Sequence, residues 1–213
     1  KPKGQYHLVL QAPVYNQGKL LACLRAWYEH DTSYDNKDKE YTIKKAAETL
    51  KINYKIVYEE IMKLENEELI KITRQGNSNV CVYNYKYHSK IVEVEEIRKK
   101  ELFKNKNLQL IYKRIKEVKN PFYCLVLFGS YANRTNQKGS DIDLCLITDF
   151  EKINKEVQSI LSITPLNVHL QDFKSDEFIA MLKSKEFNVA NEILKNNIIL
   201  FGLEALYEMV NYV

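Results

Sequence analysis

Hydrophobic positions along the chain fall into two periods, and the change from one to the other divides it. In the first part the spacing is helical. Leu20, Leu24 and Trp27 mark a helix over 18–29, and a polar loop follows over 31–40. Thr42 is placed to cap a helix whose inner stripe is Ile43, Ala46, Ala47 and Leu50. After the break Lys51-Ile52-Asn53, Asn53 can cap a further helix with Ile56 or Val57, Ile61 and Leu64 inside. Residues 69–74 and 80–83 then flank the polar, glycine-containing stretch 75–79, which predicts a β-hairpin.

Residues 91–118 return to helical spacing, interrupted at Lys104-Asn105-Lys106-Asn107, with Leu108, Ile111, Ile115 and Val118 on one side and Pro121 as a stop. The second part begins with Leu125-Val126-Leu127-Phe128, an apolar run that ends in Gly129-Ser130. Ten residues (131–140) separate that turn from Asp141-Ile142-Asp143-Leu144-Cys145-Leu146-Ile147. Alternation on the latter run places Asp141, Asp143 and Cys145 on one face and Ile142, Leu144 and Leu146 on the other.

Downstream, Ile153, Val157, Ile160 and Leu161 mark a helix, and 166–171 reads as a strand with Asn167, His169 and Gln171 on its polar face. Ser175 is placed to cap a helix over 176–183, Asn188 or Val189 opens another that ends near 196–197, and a short strand (198–202) and a closing helix (203–210) follow. The expected fold class is α/β (α+β), with a small mixed sheet flanked by helices in the second part.

Composition refines this picture. A chain of 213 residues is long enough for two modest cores. The formal charge of +4 conceals an asymmetry: residues 1–120 hold 24 Lys/Arg against 16 Asp/Glu, whereas 121–213 hold 8 against 12. The first part suits a polyanion and the second a cation. No apolar run is long enough to span a membrane, and Lys1-Pro2-Lys3-Gly4 has no apolar stretch behind it, so neither a membrane segment nor a signal peptide is expected. Cys23, Cys81, Cys124 and Cys145 are scattered and lack zinc spacing, which fits free thiols and a cytoplasmic location.

Candidate chemistry lies in the second part. Two carboxylates on one face at the edge of a buried sheet are costly unless a cation joins them. Hard oxygen ligands suit Mg²⁺ (or Mn²⁺), which keeps waters and bridges to substrate phosphates. Asp141 and Asp143 are therefore the candidate metal ligands. Gly129 would let the backbone approach a phosphate, and Ser130 would offer a hydroxyl and an N–H. The chemistry implied is nucleotidyl transfer.

Gly-Ser, ten residues, Asp-x-Asp resembles the signature of the minimal nucleotidyltransferases of the DNA polymerase beta superfamily, over residues 121–211. The resemblance implies in-line attack of an acceptor hydroxyl on the α-phosphorus of an NTP, ATP favoured. Asp141 and Asp143 would be catalytic, and Gly129, Ser130, Arg134 and Lys138 would bind the nucleotide's phosphates. It also implies a third carboxylate on a neighbouring strand. Here 166–171 offers none on its polar face, and Asp172 has the wrong parity. His169 takes that place as candidate general base or ligand, with a plain cleft-lining role as the alternative.

The order of elements over 15–85 resembles a winged helix-turn-helix. That resemblance implies DNA binding, with Asn53, Tyr54, Lys55 and Tyr58 facing the major groove and Lys44, Lys45, Lys71 and Arg74 reaching phosphates. Nearby Glu59, Glu60, Glu65, Glu67 and Glu68 leave protein binding open. The expected organisation is a DNA-binding domain (1–90), a linker and leading helix (91–120) and a nucleotidyltransferase domain (121–213). Winged helix before nucleotidyltransferase also resembles a group of prokaryotic regulators. Three readings follow: a nucleotidyltransferase whose acceptor is a partner protein (as for antitoxin-like members), a small molecule or an RNA end; a DNA-binding regulator with an inactive, nucleotide-sensing or dimerising domain, in which a homodimer has a place; and a purely structural module.

Overall fold

A computed structural model describes residues 42–184, 186 and 188–213. The helix expected over 18–29 and the loop over 31–40 lie outside the described residues. Chain contacts divide the protein into two compact units, with the boundary between Asn84 and Tyr85. The charged helix expected as a linker thus falls within the second unit.

The described part of the first unit holds α1 (Ile43–Leu50), α2 (Tyr54–Asn66) and a hairpin of β1 (Ile70–Gln75) and β2 (Ser78–Tyr83). Local chemistry sets each boundary. Thr42 Oγ1 accepts from the Lys45 N–H at 3.2 Å, and Asn53 Oδ1 from the Lys55 N–H at 2.9 Å, so both helices start at the residues read as caps. Lys51 (φ +54) and Glu68 (φ +60) make the left-handed turns after α1 and α2. Ile43, Ala46, Ala47 and Leu50 of α1 pack inward with Val57, Ile61 and Leu64 of α2. Between the two alternatives for the inner face, Val57 is the buried one.

The second unit holds α3 (Ser89–Leu102), α4 (Lys106–Ile115), β3 (Cys124–Phe128), α5 (Gly129–Ala132), β4 (Ile142–Ile147), α6 (Glu151–Ser162), β5 (Val168–Phe173), α7 (Ser175–Lys183), α8 (Val189–Lys195), β6 (Ile198–Phe201) and α9 (Leu203–Asn211). Its sheet has the order β5-β4-β3-β6. β3 runs antiparallel to β4 and to β6, and β4 runs parallel to β5, so the sheet is mixed. One face carries Leu125, Leu127, Ile142, Leu144 and Leu146 against Leu108, Ile111 and Ile115 of α4 and Ile153, Val157 and Leu161 of α6. The β4, α4 and α6 side chains among these come from the stripes their periodicity marked.

Of the boundaries that differ from expectation, three in the second unit have a local cause. α4 ends at Ile115, ahead of Pro121, because Lys116–Val118 close in a turn that buries Val118. β5 is displaced two residues along the chain, since Leu166 N–H bonds Thr164 O at 2.8 Å in a turn after Pro165 and pairing with β4 starts at Val168. Ser175 is the first residue of α7 and not its cap; its N–H and hydroxyl both donate to the Asp149 carboxylate, at 2.9 and 2.8 Å.

The far side of β6 is closed by two charged side chains of α3. Glu95 is 1% exposed and Arg98 7%. Glu95 accepts from Arg98 at 2.5 Å and from the Ile199 N–H at 3.2 Å, while Arg98 donates to the Asn197 carbonyl. An edge strand's backbone groups are thereby paired inside the protein. Removing one partner of such a buried pair costs about 3–5 kcal/mol. Glu95→Ala is therefore expected to lower the urea midpoint by a stability loss of that size, and Glu95→Gln, which keeps an acceptor for Ile199, by less. Equal losses would mean that the charge at Glu95, and not the acceptor it offers Ile199, carries its contribution.

Candidate active site

The candidate site forms where β3 ends and β4 begins. Antiparallel register pairs Phe128 with Asp143, so the residue that leaves β3 arrives beside the second acid of Asp-x-Asp. Gly129 has φ +67, a left-handed conformation that L side chains rarely adopt. A Cβ built there would also run into Asp143 Oδ2. The turn backbone therefore passes directly over the Asp143 carboxylate, and glycine alone permits it.

Beyond Gly129 the chain makes the single turn of α5, and its end folds back. Asn133 N–H bonds Gly129 O at 3.0 Å and Thr135 N–H bonds Ser130 O at 2.9 Å. Ser130 is half-buried within this turn. The loop to Asp141 closes through Ser140, whose Oγ accepts from the Gln137 N–H at 2.8 Å.

On the other side stands β5. Its parallel register sets His169 beside Asp143, with Nδ1 3.6 Å from Oδ1. That separation is too long for a hydrogen bond and short enough for charge attraction when the imidazole is protonated. Asn167 Nδ2 donates to Asp141 Oδ1. Asp141 itself is exposed, whereas the Asp143 side chain is 26% exposed. Two residues further on, Cys145 is fully buried and its thiol is pushed up to about 12, burial being the largest cause and the Asp172 charge the next. The acidic face thus passes from wet to dry within one step of the strand.

Asp172 points away from this face. It lies on the side of β5 that meets α6, and its Oδ2 accepts from Asn154 of that helix. Its parity is as the sequence indicated, and no bulge brings it round. Arg134 (φ +58) turns its guanidinium to Glu101 near the end of α3, with Nη2 2.7 Å from Oε2. Lys138 is exposed in the loop 133–141. Asn167 and Glu101 are the site neighbours that sequence reasoning did not single out. Alternation placed Asn167 on the right face, which was a usable signal; nothing in the sequence couples Glu101 to a residue 33 positions away.

Among the described residues, no group of three or more His, Cys, Asp or Glu is arranged to hold a metal. The donors present are two carboxylates, and the residue that passes over Asp143 is a glycine with no side chain to fill the space beside it. Such a hard, incomplete set fits one divalent ion whose other ligands come from water and a phosphate-bearing substrate, and does not amount to an all-protein cage.

In the first unit, Lys44, Lys45, Asn53, Tyr54, Lys55, Tyr58, Lys71 and Arg74 are all exposed. Tyr54 and Tyr58 stack on the surface of α2 with ring centroids 6.2 Å apart. The Asn53 carbonyl oxygen is engaged as the α2 cap, and Arg74 Nε donates to Gly76 O at 3.3 Å.

The second unit is thus a mixed sheet with a glycine-serine turn packed on an Asp-x-Asp strand. Residues 106–204 match the family model described as polymerase beta, nucleotidyltransferase. Among solved structures, the chain is similar to one described as "Crystal structure of the toxin-antitoxin with AMP-PNP", at 19% identity, over 49% of this chain and 81% of that one, with a TM-score of 0.34. No curated protein matches the chain. Among the described residues no helix is long and apolar enough to cross a membrane.

The contact between Gly129 and Asp143 makes a separable prediction. Gly129→Ala is expected to destabilise the protein by about 1–2 kcal/mol for the left-handed backbone plus a further loss from the clash. In an Asp143→Ala background the second part should vanish, which thermal unfolding of the four proteins in the cycle would reveal. An unchanged penalty in that background would show that the carboxylate does not meet the turn.

Proposed function

We propose that the second unit transfers a nucleoside monophosphate from an NTP, ATP favoured, to a hydroxyl acceptor, and that the first unit brings it to DNA. The observation that carries the transferase reading is the Asp143 carboxylate packed beneath the Gly129 turn, with Asp141 exposed beside it. That arrangement puts paired negative charge beside the backbone suited to a polyphosphate, a pairing that repels the substrate unless a cation intervenes.

Asp141 and Asp143 would hold Mg²⁺ or Mn²⁺, which when bound neutralises phosphate charge. Gly129 and Ser130 receive the terminal phosphates through backbone and hydroxyl donors, and Arg134 and Lys138 face the charge that develops on the departing pyrophosphate. The acceptor oxygen forms its bond to the α-phosphorus as the bond from that phosphorus to the bridging β-phosphate oxygen breaks. His169 stands beside Asp143 to take the acceptor's proton. A hydroxyl on a partner protein is the acceptor we favour.

One observation favours a second reading. The strand beside β4 supplies Asn167 and His169 in place of an acid, so a domain that binds nucleotide without transferring it, acting as sensor or dimerisation platform for a DNA-binding regulator, retains support.

Incubation with each labelled NTP, Mg²⁺ and cell lysate distinguishes the two. Transfer should fall by at least about 100-fold in Asp143→Ala, roughly 2.7 kcal/mol of transition-state stabilisation. Nucleotide binding with no transfer by the wild-type chain would replace the enzyme with the sensor.

DNA binding is supported by the exposed cations around α1, α2 and the hairpin. Affinity for the DNA upstream of its own gene should fall steeply with salt, and Lys55→Ala or Arg74→Ala should each reduce the salt slope by about one. Binding indifferent to salt and to both substitutions would remove DNA from the proposal.

A further inference from the structure

We propose that Glu101 is a positioning residue that holds Arg134 as a displaceable latch, released when a polyphosphate reaches the Gly129-Ser130 turn; this rests on the nucleotide reading of the site. Arg134 is tied to that turn by backbone. Its own N–H reaches Tyr131 O at 3.4 Å, and the next residue, Thr135, bonds Ser130 O at 2.9 Å. The direction of its side chain is therefore the one freedom left to it.

In the structure that side chain is turned to Glu101, with Nη2 on Oε2 at 2.7 Å. The contact is half in solvent: the Arg134 side chain is 57% exposed and that of Glu101 34%. It engages one guanidinium nitrogen of a group built to grip anions with several. An exposed pair of this kind is weak and is exchanged at little cost for a more highly charged anion.

Arg134 also keeps φ at +58, unusual for a residue with a side chain. The loop thus holds the guanidinium's root in a fixed, uncommon conformation at the rim of the phosphate turn, with the carboxylate of a separate helix as its resting partner. Glu101 opposes an arriving polyphosphate by occupying the arginine. That opposition ends when the carboxylate is neutralised.

Calorimetric titration of the full chain with ATP and Mg²⁺ tests the latch. Glu101→Gln should bind ATP more tightly, by up to about fivefold, the range in which an exposed ion pair is exchanged. Arg134→Ala should bind it more weakly, and adding Glu101→Gln to Arg134→Ala should restore little. Adenosine, which has no phosphate, should bind all four proteins alike. Wild-type binding of ATP with no gain in Glu101→Gln, or the same gain with Arg134 absent, overturns the latch and leaves the nucleotide site standing. No ATP binding by the wild-type chain overturns both. Thermal unfolding of Glu101→Gln checks that the fold is retained.

Discussion

The approach of the Gly129 backbone to the Asp143 carboxylate is the constraint on which the second unit depends. It holds because β3 and β4 are antiparallel neighbours in a register that sets Phe128 against Asp143. A slip of one residue would turn Asp143 into the α4/α6 core and put Ile142 or Leu144 at the turn. The apolar alternation of β4 is therefore what aims the acids: Ile142, Leu144 and Leu146 must be buried, and burying them leaves Asp143 at the mouth of the sheet. Chemistry at one end of the strand is fixed by packing along its length.

The second determinant is how the sheet ends. Its β5 edge carries the polar side chains of the site, whereas its β6 edge is closed by the Glu95–Arg98 pair of α3. This explains why a helix with so charged a sequence lies within the second unit and not between units. A buried ion pair is weak evidence of net stability, but it specifies register, because only one placement of α3 lets a single carboxylate meet both Arg98 and the Ile199 N–H.

Most of the second unit was legible in the sequence because its elements obey one period each. The stripes Leu108-Ile111-Ile115 and Ile153-Val157-Leu161 and the alternation of β4 require nothing beyond local spacing to be read. The parity of β5 was legible as well, and so was the absence of an acid from its polar face. Its start was not, since the turn after Pro165 borrows Leu166 from what looked like the strand. The role of α3 was hidden for a deeper reason. Glu95 bonds a residue 104 positions away and Arg98 one 99 away, and a helix whose inner face is charged looks, from the sequence alone, like a solvated linker. In the first unit the caps Thr42 and Asn53 were read directly, because a side chain that bonds the backbone two or three residues on is a local event.

Electrostatics then decides what the site can take. Asp141 and Asp143 carry two negative charges against neutral Asn167 and the titratable His169, with Arg134 drawn to Glu101. Left alone, that balance repels a triphosphate. On the proposed reading, one divalent ion would offset the acids, and the arginine would become available once its weak partner is displaced. A third carboxylate beside Asp143 would call for more cation than one ion supplies, whereas the imidazole there adds no negative charge. On the proposed nucleotide reading, two carboxylates beside an imidazole are the charge balance that one divalent ion and one polyphosphate would offset.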